Sequence, residues 1–261
     1  MWSAEEPVRR ERRRRLHWIT EYWHRRDHRW VRVDSEVIGG VSCMIGYYQP
    51  NSLGPMPKPT HAHSFLAGTD TTRAPLVLLH GSAGTESDLM PLADELAPGA
   101  TKLGIRGTVA MGGGHAFFHR FPDRRVDEAD IAARVPVLAE FIETSCAGYN
   151  LTRRPMAIGF SNGAIMAAAL LMTHPGLLAG AILFRPLSPF THDPPYRLDS
   201  TPVLIIDGAK DSRRSSGDGL RLAERLRRAG ALVNHHLLPV GHSITAEDGG
   251  IAHEWLRALK L

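Results

Sequence analysis

Three residue types in one order could do chemistry together here: Ser161, Asp211 and His242. Ser161 is the centre of Gly159-Phe160-Ser161-Asn162-Gly163. The apolar run Met156-Ala157-Ile158 leads in, and an Ala-rich, Gly-free run over 164–171 leads out. That reads as strand, sharp turn and helix, the context in which Gly-x-Ser-x-Gly works as a nucleophile elbow. Such a turn strains the serine backbone, and side chains at Gly159 or Gly163 would crowd the neighbouring strand or helix. The helix N-terminus beneath the serine favours negative charge.

A serine hydroxyl is a poor nucleophile near neutrality without a base in hydrogen-bond reach. With this elbow the order should be Ser, then Asp or Glu, then His. Asp211 falls a few residues beyond the apolar run Val203-Leu204-Ile205-Ile206, where a loop can carry it to a histidine. Asp207, at the strand's edge, competes for the role, and its alternative is hydrogen bonding in the turn. Asp218 reads as a cap for the next helix. Of 14 histidines, His242 in Pro239-Val240-Gly241-His242-Ser243 lies just past the last strand on a glycine-containing loop. His235 and His236 fall inside that strand. Acyl transfer also needs oxyanion donors. The backbone N–H groups of Asn162 and of Ser82, in Leu79-His80-Gly81-Ser82-Ala83-Gly84, are the candidates, with His80 bracing the loop.

These residues need a scaffold. From His61 onward short apolar runs alternate with helical patterns. Strands are expected over 64–67, 76–79, 101–105, 156–158, 180–184, 203–206 and 231–238. Helices are expected over 86–96 (with Thr85 or Ser87 as cap), 127–146, 164–171, 219–228 and 251–259, with Pro136 a point for a kink. Residues 106–126 read as a long loop. The alternation implies α/β architecture: a mostly parallel sheet with helices on both faces and its site at the carboxyl ends of the strands.

The preceding residues differ. Residues 1–33 hold ten arginines against five acids, so the net charge of +4 is concentrated there and the body is near neutral. Four of the five tryptophans lie there too. Residues 8–30 fit a basic helix, and 31–48 a hairpin turning near Gly39-Gly40. The proline-rich stretch 49–60 reads as a linker, giving a 1–58 extension and a 59–261 catalytic domain. The arm is either a membrane-surface or nucleic-acid-binding segment or a solvated extension, and solvation is the ordinary fate of a charge run. No nucleic-acid partner is expected for the body. Two cysteines, Cys43 and Cys146, make no disulfide framework. No run reaches membrane-spanning length, and no signal-peptide apolar region follows the arginines. A cytoplasmic protein is expected.

The motifs LLHGSAGTESDLMPLA, IRGTV, GFSNGA, LIIDGAKD and VGHS occur in order over 62–261. Together they resemble the α/β-hydrolase superfamily and, within it, the phospholipase/carboxylesterase family, most closely its bacterial carboxylesterase-like branch. The resemblance implies the α/β-hydrolase fold and a serine esterase without metal or organic cofactor. By position, Ser161 resembles the nucleophile, Asp211 the acid, His242 the base, and Ser82 and Asn162 the oxyanion donors. Many members have Gln where Asn162 stands. Family members often dimerise, which leaves a homodimer open.

The implied activity is hydrolysis of small to medium acyl esters, a small-molecule substrate class. An acyl thioesterase or lysophospholipase is the alternative. A binding protein on the same fold is a remote one, opposed by the intact Ser, Asp and His. Dienelactone hydrolases share the fold but use cysteine at the elbow. Between 184 and 203 the chain is too short and proline-rich for a helical cap. Phe117 and Phe118, in a glycine-rich loop, are candidates to line an acyl pocket; their alternative is packing that loop onto the body. His115 and His119 have no helix to make their spacing a zinc site.

Overall fold

The computed structural model describes residues 60–259 other than Arg124, together with the strand backbones at 9–14, 17–24, 29–38 and 41–45. The chain forms two units: Met1–Met56 with Ser64–Leu66, and Pro57–His63 with Ala67–Leu261.

In the first unit β1 (Arg9–Arg14), β2 (His17–His24), β3 (Arg29–Ile38) and β4 (Val41–Ile45) make an antiparallel sheet in sequence order. The helix expected over 8–30 is therefore replaced by strands. The sequence HWITEYWH in β2 is rich in aromatic and β-branched residues, which favour a pleated backbone over a helix. The hairpin expected at Gly39-Gly40 is present, with Ile38 opposite Val41. The side chains of this sheet lie outside the described residues.

β5 (His63–Leu66) contains residues of both units. The second unit continues with β6 (Leu76–Leu79), α1 (Met90–Leu96), β7 (Lys102–Ile105), β8 (Val109–Met111), β9 (Gly114–Ala116) and α2 (Glu128–Gly148). Then come β10 (Met156–Phe160), α3 (Asn162–Thr173), β11 (Gly180–Phe184), β12 (Pro202–Gly208), α4 (Asp218–Arg228), β13 (Leu232–Leu238) and α5 (Ala246–Leu259). Strands β13-β12-β11-β10-β6-β7 are neighbours in that order, and each pair is parallel. The run of β6, β10, β11 and β12 is buried almost throughout, which is why those segments read as unbroken apolar stretches.

Alternate strand residues, Leu76, Leu78, Ile158, Ile182, Leu204 and Ile206 among them, form one core with α1 and α5. α3 packs over β6, β10 and β11, with α2 against it. α4 takes the same opposite face, where its Gly219 lies against Asp207. Helices thus cover both faces, as the alternation implied.

Two elements differ from their sequence reading. α1 starts at Met90, not 86: residues 86–89 are turns, Leu89 is its N-cap without a side-chain bond, and a proline occupies its first turn. The 106–126 segment contains the small β8–β9 hairpin, turned by Gly112 (φ 55°) and Gly113 (φ 85°), a conformation glycine adopts cheaply. α2 is capped by Asp127, whose side chain accepts the Asp130 amide. It runs through Pro136 without a break. No helix lies between β11 and β12, matching the expectation of a site without a large cap.

Candidate active site

Ser161 occupies the turn between β10 and α3 with φ 52° and ψ −106°, a backbone region L-residues rarely adopt. The glycines on either side are required by close approach. A Cβ on Gly163 would stand 2.0 Å from the Leu79 carbonyl oxygen, and one on Gly159 2.7 Å from Ala164 Cα. The strained serine is therefore held by backbone on both sides, with its amide donating to Phe184 O (2.9 Å).

Asp211 lies three residues past β12, and His242 four past β13. Their meeting follows from parallel pairing that continues beyond the strand ends. Ala209 N donates to Leu238 O (2.7 Å) and Lys210 N to Val240 O (3.0 Å). Gly208 permits this, since a Cβ there would stand 2.4 Å from Gly241 O. The outcome is a chain of hydrogen bonds: Asp211 Oδ2 to His242 Nδ1 at 2.7 Å, and His242 Nε2 to Ser161 Oγ at 3.0 Å. The other Asp211 oxygen accepts the Arg213 amide (2.8 Å), which fixes the carboxylate plane. The Phe160 ring packs on the imidazole at a 5.2 Å centroid distance.

Burial pushes the His242 imidazole below the ordinary histidine range. The Asp211 carboxylate opposes that shift, and the Arg214 and Arg213 guanidinia add to it. The net direction keeps the ring neutral, and so able to accept a proton, to lower pH than a free histidine.

The competing acid, Asp207, is engaged elsewhere. Its Oδ2 meets Nε2 of His235, in β13, at 2.8 Å. Asp218 is not the cap expected: Gly217 is the N-cap of α4, without a side-chain bond, and Asp218 is the first helical residue, its carboxylate accepting the Ser215 amide (2.8 Å) in the preceding turn. His80 is buried and braces its loop: Nε2 accepts the Gly107 amide (3.0 Å), so Nδ1 carries the proton donated to Gly81 O (2.6 Å). Ser82 is exposed and Asn162 buried; Gly81, the residue before Ser82, lies against the elbow, where a Cβ would stand 2.8 Å from the Phe160 ring. The Asn162 side chain has a task the sequence did not suggest. Its Oδ1 accepts the Phe117 amide (2.7 Å) and its Nδ2 donates to Phe118 O (3.4 Å), tying the 117–118 segment to the elbow. Phe117 and Phe118 themselves are interior residues, 2% and 0% exposed, with Phe117 against His80. The structure gives them the packing role, because the Asn162 tether draws their backbone inward. His119 pairs with Asp130 (2.9 Å), and no metal-holding cluster occurs among the described residues.

Two arginines have roles that the sequence did not assign; in the sequence Arg185 and Arg106, near strand ends, read either as binders of an acidic substrate group or as surface or turn residues. Arg185, immediately after β11, is fully buried at φ 53°. Its guanidinium forms a bidentate pair with buried Asp248 (2.7 and 2.8 Å). Its other donors go to Gly241 O (3.0 Å), Ser243 O (2.9 Å) and Ile206 O (3.1 Å). Gly241 and Ser243 bracket His242, so Arg185 holds the histidine loop. The signal was present as a lone arginine ending an apolar run. Arg106, by contrast, is tied to Glu86 on a neighbouring loop. Arg214 donates to Ser161 Oγ itself (3.1 Å) and to Arg185 O (2.8 Å). It also stands in the wall of a cavity of about 700 Å³. No sequence spacing pointed to it.

The fold agrees with that of known proteins. The Phospholipase/Carboxylesterase family model matches residues 103–260. The chain is 34% identical over 183 residues to MhqD of Bacillus subtilis, covering 70% of this chain and 92% of that protein. Among solved structures it is similar to the Bacillus cereus carboxylesterase: 35% identity, TM-score 0.75, 77% of this chain and 95% of that one. It is also similar to a carboxylesterase from Mesorhizobium loti: 31% identity, TM-score 0.73, 77% and 97% coverage. The chain therefore belongs to the phospholipase/carboxylesterase family of hydrolases, on the α/β-hydrolase fold.

Proposed function

We propose that the protein is a serine carboxylesterase acting on small to medium acyl esters, with Ser161 as nucleophile, His242 as base and Asp211 as the acid orienting it. The observation that carries this reading is the unbroken sequence of contacts from Asp211 Oδ2 through both His242 nitrogens to Ser161 Oγ, at 2.7 and 3.0 Å. Both are within the reach a nucleophile and its base require. Ser161 Oγ attacks the ester carbonyl while His242 Nε2 takes its proton. The amides of Asn162 and Ser82 receive the oxyanion. Collapse expels the alcohol, which takes the proton from Nε2, and leaves the acyl group on Ser161. Water, losing a proton to the same nitrogen, repeats the sequence and releases the acid. Asp211 keeps Nδ1 protonated throughout and offsets the imidazolium charge.

The family match and the carboxylesterase neighbours support the reaction class. The charged lining of the nearby cavity supports short, polar substrates over the long acyl chains of a thioesterase or lysophospholipase. The test is hydrolysis of p-nitrophenyl esters from two to sixteen acyl carbons, wild type beside Ser161→Ala. A peak at short chains that disappears in the variant supports the proposal. A long-chain peak favours the thioesterase or lysophospholipase reading. Folded protein without Ser161-dependent turnover at any length contradicts it.

A further inference from the structure

Arg214 is unusual in its company. Arg185, its neighbour, spends its charge on Asp248 and has all its donors engaged. Arg214 donates only to neutral oxygens: Arg185 O, Arg213 O (3.1 Å) and Ser161 Oγ. Among the described residues no carboxylate lies within ion-pair distance of it. A guanidinium has five N–H donors, so part of its fork remains for another acceptor. It faces the cavity of about 700 Å³.

The rest of that cavity adds to the same sign. Seven arginines line it against four carboxylates. Asp123 is spent on Arg125 and Asp218 on Arg221. Glu128 accepts from Thr191. Arg120 also stands in this wall, stacked over Phe118 at 5.9 Å. The Arg214 guanidinium is pushed down to about 10, by burial first and by the Arg120 charge next. It remains charged near neutrality, with the Asp211, Asp218 and Asp207 carboxylates acting on it only from beyond ion-pair distance. A partly desolvated cation without a direct counter-ion is costly unless something supplies one.

Position says what that something is. Ser161 Oγ must bond to the scissile carbonyl carbon, and Arg214 Nη2 is 3.1 Å from that oxygen. A group held by the rest of the same guanidinium is therefore part of the molecule being cleaved, only a few atoms from its ester carbonyl. The planar fork of arginine matches a carboxylate.

We propose that the preferred substrates are esters carrying a carboxylate close to the scissile carbonyl, such as half-esters of short dicarboxylic acids, and that Arg214 is the specificity-determining residue that reads this group. This rests on the esterase reading of Ser161. Attack, proton transfer and alcohol release are as above, and the carboxylate takes no part in bond changes.

The experiment compares monomethyl succinate and monomethyl glutarate with their dimethyl esters in a pH-stat, expressed as kcat/KM per ester group. Wild type, Arg214→Gln, Arg214→Lys and Ser161→Ala are assayed, with folding checked by circular dichroism. The wild type is expected to favour the half-esters by about tenfold or more, the scale of a hydrogen-bonded charge pair. Arg214→Gln lowers that preference by about tenfold or more, mainly through KM, while Arg214→Lys retains part of it. Succinate inhibits the wild type competitively, and Arg214→Gln loses that inhibition. A wild-type preference at or below one, together with no inhibition by succinate, overturns the proposal without any variant. A loss in Arg214→Gln that is equal for half-esters and diesters also overturns it, making Arg214 a positioning residue for Ser161. Diester turnover that survives in Ser161→Ala sinks the esterase reading instead. A succinate-induced rise in the melting temperature of Ser161→Ala then still reports on the anion site.

Discussion

Two Asp–His pairs link the β12 and β13 segments, one within the sheet and one beyond the strand ends. Asp211–His242 and Asp207–His235 have almost the same separation, 2.7 and 2.8 Å, and their histidines are almost equally exposed, 13% and 14%. They differ in which ring nitrogen the carboxylate holds. Asp211 takes Nδ1 of His242 and leaves Nε2 for Ser161. Asp207 takes Nε2 of His235, whose backbone is fixed within the sheet opposite Ile205. An Asp–His pair is thus not a site by itself. Placement beyond the strand ends, on loops tied by backbone bonds and by Arg185, makes one of the two face Ser161.

The largest expected contrast comes from removing one carboxylate charge at a time. Asp211→Asn should lower kcat by about 10⁴, because the amide favours the wrong imidazole tautomer. Asp207→Asn should leave kcat/KM within about threefold and cost about 1 kcal/mol of stability, as one partly buried hydrogen bond is lost. Steady-state kinetics and urea unfolding of the two variants check this, and equal kinetic losses would erase the distinction.

Removing the clamp that only one pair has comes next. Arg185→Met leaves Asp248 buried without its partner and should cost about 3–5 kcal/mol in unfolding free energy. Because Gly241 and Ser243 lose their donor, activity measured below the unfolding temperature should also fall. A variant as stable as the wild type would remove Arg185 from the account.

A smaller effect concerns pH. His242 must be neutral to act as base, and its folded value lies below the ordinary 6.5. The acid limb of kcat/KM should therefore fall below that value. Arg214→Gln removes a neighbouring positive charge, which eases protonation of His242, and should move the limb upward. Asp207→Asn should not move it.

The smallest concerns packing beside the second pair. A Cβ at Gly219 would stand 1.6 Å from Asp207 Oδ2. Gly219→Ala should disturb that pair and lower the melting temperature by a few degrees while sparing turnover. Calorimetry beside an ester assay separates the two effects.

The elbow and the order of Ser161, Asp211 and His242 were legible because strict local geometry leaves a sequence trace. A strand, a glycine, a strained residue and a helix must come in succession, and loops must follow strands. The strands β6, β10, β11 and β12 were legible as apolar runs because their segments are buried in a parallel sheet. The helix expected over 8–30 is absent because the β propensity of Trp, Ile, Thr and Tyr outweighs a few apolar residues at helical spacing. The β8–β9 hairpin was hidden in a glycine-rich segment whose strands are three residues each. Arg214 was illegible for a different reason. Its contact with Ser161 spans 53 residues of sequence and depends on a long side chain whose reach no spacing encodes. The Asn162 tether to Phe117, 45 residues away, is of the same kind.

The most direct test of the central claim is covalent labelling with a fluorophosphonate, followed by intact-mass and peptide mass spectrometry. The account predicts a single adduct per chain, on Ser161, absent from Ser161→Ala and strongly slowed in His242→Ala and Asp211→Asn but not in Asp207→Asn. Folded wild-type protein that takes no label, or takes it on another residue, would contradict the assignment of Ser161 as the nucleophile.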